Sequence, residues 1–227
     1  MRPYVICHSM SSVDGRILGD RWGFKNPAQY FEKPASKIKV DAWIVGRTTM
    51  QEFCSPRKHK LQTRVSKLPR TDFVGEHKTK TYAVGIDPSG KCFWDKNMVD
   101  TEHAIEVLTE KVSDAYLHHL REKQVSYIFA GRKEIDLELA LTKLRKLFGI
   151  KKARIDGGGH VNGSFLKAGL IDEFSHIVMP VADGTMDGPT VFETDGAKGK
   201  MIPKKLQLKS VKRLDGGVLW VRYSVKH

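Results

Sequence analysis

The sequence predicts an α/β fold built on a largely parallel sheet with helices on both faces. Three observations predict it. Short apolar runs alternate with amphipathic segments along the chain, which is the signature of βαβ units. No repeat, low-complexity tract or long linker divides the 227 residues, so they are expected to form a single domain, 1–227. Two strand-like segments at the C-terminal end flank Leu214-Asp215-Gly216-Gly217, a turn sequence that predicts an antiparallel hairpin.

The elements follow in order. Pro3 to Ser9 reads as a first strand, and a loop containing Asp14, Gly15, Gly19, Asp20 and Gly23 comes after it. Pro27 to Lys39 reads as a helix that starts at proline, with Asn26 as its N-cap. Ala42 to Val45 is short enough for a buried strand and is punctuated by Gly46. Thr81 to Ile86, Ala104 to Leu108 and Val125 to Ala130 are further strands, and Ser113 caps a helix that runs to about Glu122. Asp136 caps a helix whose apolar stripe is Leu137, Leu141, Leu144 and Phe148, and Gly149 ends it. A short strand, Ala153 to Ile155, runs into three glycines. Glu173 to Met179 forms a strand that stops at Pro180, and Leu206 to Arg213 with Val218 to Val225 makes the hairpin. In such a sheet, ligands bind beyond the carboxyl ends of the strands.

Composition narrows the class. With 40% hydrophobic and 29% charged residues the chain is globular, and no apolar run spans a bilayer. The N-terminus lacks a signal-peptide core, so a cytoplasmic protein is expected. Cys7, Cys54 and Cys92 are scattered, without a Cys-x-x-Cys pair, which argues against a disulfide framework and against structural zinc; no metal is expected. The net charge of +13 favours anionic partners, with basic residues gathered in Arg57 to Lys60, Lys143 to Arg154 and Lys198 to Arg213. A phosphorylated substrate and cofactor suit that charge. Nucleic acid is the less favoured partner, because its recognition motifs are missing.

The chemistry concentrates after Ile155, in Asp156-Gly157-Gly158-Gly159-His160-Val161-Asn162-Gly163. Glycines between a strand and a helix let the backbone approach a ligand, and the helix start offers free N–H groups and a positive dipole end to phosphate. Val161, Phe165 and Leu166 are expected to form the buried stripe of this helix, which Gly169 stops. Asn162 breaks the G-x-G-x-x-G fingerprint, and no Gly-Lys-Ser/Thr follows, so the pattern points to phosphate without naming the ligand.

Read with Gly169-Leu170-Ile171-Asp172-Glu173 and Pro180, this block closely resembles the riboflavin-biosynthesis reductase family, which has a dihydrofolate-reductase-like fold. Ser11-Ser12-Val13-Asp14-Gly15-Arg16, Val45-Gly46-Arg47-Thr48-Thr49 and the closing hairpin resemble other family segments in the family's order. The resemblance implies an NADPH-dependent reductase of a phosphoribosylamino-pyrimidine, opening the sugar by reduction at C1′. It further implies that Gly157, Gly158, Gly159, His160 and Val161 hold the cofactor pyrophosphate. Arg47 and Thr49 match positions near the cofactor phosphates, and a guanidinium there favours NADPH over NADH. Ser11 and Ser12 would lie along the nicotinamide carboxamide, with Trp22 near the ring. Asp87 is a contact to the adenine-side ribose or, equally, a turn-forming Asp before Pro88.

Departures from the family fall on the substrate side. Asp156 replaces the usual Glu, His8 stands where Lys is common, and the acidic pair of the ribose-phosphate segment is lost around Glu52 to Pro56, followed by Leu61 to Arg64. No carboxylate stands clearly at the first-helix position, where Tyr30 and Phe31 precede Glu32. His8 and Asp156 are the candidate catalytic groups, and Asp156 and Arg64 the candidate substrate contacts; a satisfied strand histidine is the alternative reading of His8. The resemblance also implies a homodimer and, as the chain begins at the reductase's first strand, no deaminase activity. Reduction of dihydrofolate or another pteridine is the nearest alternative. A non-catalytic nucleic-acid-binding protein on the same fold is the alternative from another class.

Overall fold

β-branched and aromatic residues are frequent in the strands, and two helices, Asp114–Glu122 and Leu137–Phe148, start at a side chain that accepts from a first-turn N–H. The computed structural model describes residues 1–55, 60–62, 64–194 and 203–226. In chain order the elements are β1 (Tyr4–Ser11), α1 (Ala28–Ser36), β2 (Ala42–Gly46), α2 (Arg47–Phe53), β3 (Tyr82–Ile86), β4 (Met98–Val99) and β5 (Glu102–Leu108). There follow α3 (Asp114–Glu122), β6 (Ser126–Phe129), α4 (Leu137–Phe148), β7 (Lys152–Ile155), α5 (Gly159–Lys167), β8 (Glu173–Val178), β9 (Leu206–Arg213) and β10 (Leu219–Val225). They fall into two units, and the division lies within β7: Met1–Pro3 with Val40–Ala153, and Tyr4–Lys39 with Arg154–His227.

In the first unit β2, β3, β5 and β6 pair in parallel, and β4 adds antiparallel to β5. Trp94, Leu108, Tyr116, Leu117, Leu120 and Tyr127 fill its core. The caps form as the sequence predicts. Ser113 accepts from the Tyr116 N–H, Asp136 Oδ1 accepts from the Leu139 N–H, and Gly149 ends α4 at φ 70°. The segment after Gly46 forms a helix, α2, that the sequence does not predict.

In the second unit β1 and β8 pair in parallel, and β10 lies antiparallel between β8 and β9. Three expectations fail here. Asn26 is left-handed (φ 49°) and does not cap α1; Pro27 takes that place with no side-chain cap. The helix stops at Ser36 and not Lys39, two residues past Pro34, which has no N–H to extend the ladder. In α5 the buried residues are Gly159, Asn162, Gly163 and Phe165, while Val161 and Leu166 are only half-buried. Packing on glycine replaces the apolar stripe on that side.

Candidate active site

Ile155 leads β7 into the three glycines, which divide the work between them. Gly157 has φ 101°, a left-handed conformation that turns the chain, and Gly158 is the N-cap residue of α5. A Cβ on either would meet nothing within 4 Å, so their backbone faces open space. Gly159 packs instead: a Cβ there would collide with the Thr190 carbonyl, and one on Gly163 with the Glu193 carbonyl. The segment 190–193 is thus laid directly on the helix. The Glu193 N–H donates to Gly159 O (2.9 Å), Asn162 Nδ2 donates to Val191 O (2.9 Å), and the Thr190 N–H donates to Glu193 Oε1 (2.9 Å). His160 is exposed, with Nε2 3.5 Å from Glu193 Oε2.

Beside this helix opens a cavity of about 640 Å³ lined by His160, Asp187, Pro189, Thr190, Phe192, Glu193 and Thr194. That lining carries two carboxylates and no lysine or arginine, which does not suit a pyrophosphate; Gly157 and Gly158 are not part of it.

His8 is fully enclosed in β1. Its Nε2 lies 3.1 Å from Phe31 O, which can only accept, so that nitrogen carries the hydrogen. Nδ1 therefore accepts from the Ser175 hydroxyl at 2.9 Å, and Ser175 in turn accepts from Trp220 Nε1 at 2.8 Å. Burial pushes the imidazole pKa down to about 4. Both ring nitrogens are engaged, the geometry of a satisfied strand histidine, and neither is open to a ligand in this arrangement. Asp156 is gripped by Arg154, with both carboxylate oxygens paired to the guanidinium (Nη2–Oδ2 2.7 Å). Burial raises the Asp156 pKa and the Arg154 charge opposes that rise. Arg154 Nη1 also donates to Ala35 O (2.8 Å), fixing the pair to the end of α1.

The loop after β1 is closed on itself and on residues 181–190. Ser11 donates to Ser12 O (2.8 Å), so its contact with His176 Nε2 (2.8 Å) requires the imidazole to donate. Burial lowers the His176 pKa to about 4. Ser12 Oγ accepts from the Arg16 N–H (3.0 Å), and Asp14 accepts from the Asp183 and Gly184 N–H groups (2.9 Å each). Trp22 is half-buried, and its indole N–H donates to Asp183 Oδ2 at 2.7 Å.

The remaining candidates belong to the first unit. Arg47 opens α2 and donates to Gln51 Oε1 (2.9 Å); Thr49 is half-buried on the same helix. Asp87 is wholly buried and does the work of a turn: Oδ2 accepts from the Lys91 and Cys92 N–H groups, the latter at 2.8 Å. Arg64 is exposed. Of the basic stretch, residues 57–59 lie outside the described residues.

Sequence reasoning missed Arg154, Ser175, His176, Asp183 and Glu193. Only Arg154 carried a local signal: two residues before Asp156 in a strand-like run, it shares that residue's face. The others reach their partners across the fold.

Comparison with known proteins bears on the whole chain. The model of the RibD C-terminal domain matches residues 3–220. A 2,5-diamino-6-ribosylamino-4(3H)-pyrimidinone 5′-phosphate reductase of Aquifex aeolicus is 27% identical over 87% of this chain and 85% of its own length. The protein of the same name from Methanothermobacter thermautotrophicus is 26% identical over 100% of both chains. A crystal structure of a pyrimidine reductase-like protein from Corynebacterium diphtheriae superposes with a TM-score of 0.68 at 16% identity, covering 99% of this chain and 92% of the other. The fold is therefore the dihydrofolate-reductase-like α/β fold that the sequence predicts. As that model matches nearly the whole chain, from residue 3 through the glycine turn to residue 220, the chain belongs to the RibD C-terminal domain family.

Proposed function

We propose that this protein is the NADPH-dependent reductase of a phosphorylated ribosylamino-pyrimidine in riboflavin biosynthesis. Family membership and the two relatives, each named as a reductase of such a substrate, support that reading. One observation carries the cofactor half of it. The backbone at Gly157 and Gly158 is open, and it leads into the first turn of a helix, whose N–H groups have no acceptors within the helix. A side chain at either position would fill that cradle, so these residues fit a cofactor phosphate.

When bound, NADPH supplies the hydride. The chain's own residues bind and orient. Gly157 to Val161 offer main-chain donors to the pyrophosphate. Ser11 and Trp22 border the nicotinamide. Asp156 stands at the head of the glycine turn, its carboxyl held by the Arg154 fork and its pKa raised by burial, and would meet the substrate only by sharing that pairing. His8 and Asp87 have less support, since their surroundings already occupy them.

A homodimer and a cytoplasmic location complete the proposal. Leu206, Leu208 and Val211 of β9 lie opposite Val225, Tyr223 and Val221 of β10, so they share one face with Leu219; all four aliphatic residues are exposed. An apolar face of this kind suits a second copy of the chain. No helix among the described residues is long and apolar enough to cross a membrane.

The test is Gly158→Asp. The Cβ has room, so the melting temperature should hold while NADPH affinity, read by fluorescence titration, falls by roughly 100-fold or more, a loss of about 3 kcal/mol. Unchanged affinity rejects the phosphate loop. Turnover of the pyrimidine against dihydrofolate separates the two enzyme readings.

A further inference from the structure

Cys54, Cys92 and Glu106 stand far apart in the sequence, yet the first unit brings one ligand atom of each within 4.8 Å of the others. Cys54 follows the last residue of α2, Cys92 lies in the segment after β3, and Glu106 projects from β5. Cys92 and Glu106 are wholly buried, and Cys54 is half-buried. Glu106 Oε1 accepts from Trp94 Nε1 at 2.9 Å. Its other oxygen, Oε2, is buried without any hydrogen-bond partner. An unpartnered carboxylate oxygen in a core costs on the order of 1–3 kcal/mol or more, and such a group calls for an explanation. Asp87 Oδ1, on the residue that borders Cys92, is a second buried oxygen without a partner.

The carboxylate packs closely on Gly85: a Cβ there would sit 3.1 Å from Glu106 Oε2 and 2.9 Å from Met50 Cγ, so a larger residue would crowd the group. We propose that Cys54, Cys92 and Glu106 bind a single zinc ion that fastens the end of α2 to β5. Two thiolates and a carboxylate form a borderline-soft donor set suited to a tetrahedral zinc, with water in the fourth position. Tetrahedral ligands at zinc–sulfur distances of about 2.3 Å stand roughly 3.8 Å apart, so the donors close by about 1 Å at most. Cys54, at the end of a short helix and partly open to solvent, is the least enclosed of the three and the side on which the ion would enter.

Zinc binds the thiolate forms of the cysteines, so binding releases their protons.

The experiment is anaerobic titration of the reduced, chelator-stripped full chain with Co²⁺, followed by displacement with Zn²⁺. One equivalent should bind with an intense near-ultraviolet sulfur-to-cobalt charge-transfer band, and Zn²⁺ should abolish it. Cys54→Ser and Cys92→Ser should each cut the band by about half or more and weaken Zn²⁺ binding by roughly 100-fold, Glu106→Gln by roughly 10-fold, and Cys7→Ala by nothing measurable. Cys54→Ser touches the least buried ligand and keeps the test valid if Cys92→Ser fails to fold. Absence of the band, or Zn²⁺ affinity unchanged in Cys54→Ser, overturns the proposal. So does a reduced protein that binds no cobalt and forms a Cys54–Cys92 disulfide in air.

Discussion

His8 shows how much of a residue's chemistry is set by what surrounds it. Its folded pKa of about 4 lies below the ordinary value of 6.5. Between those limits the unfolded chain takes up a proton that the native state refuses, so stability falls as pH drops from 6.5 towards 4. Relative to His8→Gln, the wild type should lose about 2 kcal/mol more between pH 7.5 and pH 5 in urea titrations. Equal losses would show that His8 titrates normally. The glycines give a second comparison. Gly163→Ala drives a methyl into the Glu193 carbonyl and should cost roughly 2 kcal/mol or more, whereas Gly158→Ala should stay within about 0.5 kcal/mol in the same titrations. The three glycines were visible in the sequence as a turn open to a ligand, but not their separate roles: which of them faces a carbonyl depends on where residues 190–193 pass. Likewise, nothing near His8 in the sequence announces Ser175 or the Phe31 carbonyl.

Elements were most legible where one local interaction decides them. Ser113, Asp136 and Gly149 act as caps because the groups they satisfy lie within four residues. Asp136→Ala should cost about 1 kcal/mol, measurable as a lowered urea midpoint with an unchanged slope. Asn26 is the counterexample. Its residue type suits a cap, but its left-handed backbone turns the side chain away from that task, and Pro27 begins α1 instead. In α5 the apolar spacing pointed to Val161 and Leu166, whereas the tightest contact is made by the helix's two glycines with residues 190–193. Periodicity weighs side chains and is blind to a face defined by having none.

For the molecule as a whole, the family could be read from the sequence because its motifs are short, contiguous and ordered along the chain. Assembly could not, since the face that supports it combines two strands across a bulge between Arg222 and Tyr223. If that face joins two copies, Leu208→Lys should shift sedimentation from dimer to monomer at micromolar concentration, with the far-ultraviolet circular dichroism unchanged. A wild type that sediments as a monomer would remove the assembly proposal. The glycine-lined contact of α5 also has a consequence for engineering. Helix and covering segment fit as tenon and mortise, so grafting residues 156–169 into a related enzyme will succeed only if 189–194 travel with them; either piece moved alone meets a partner cut to another shape.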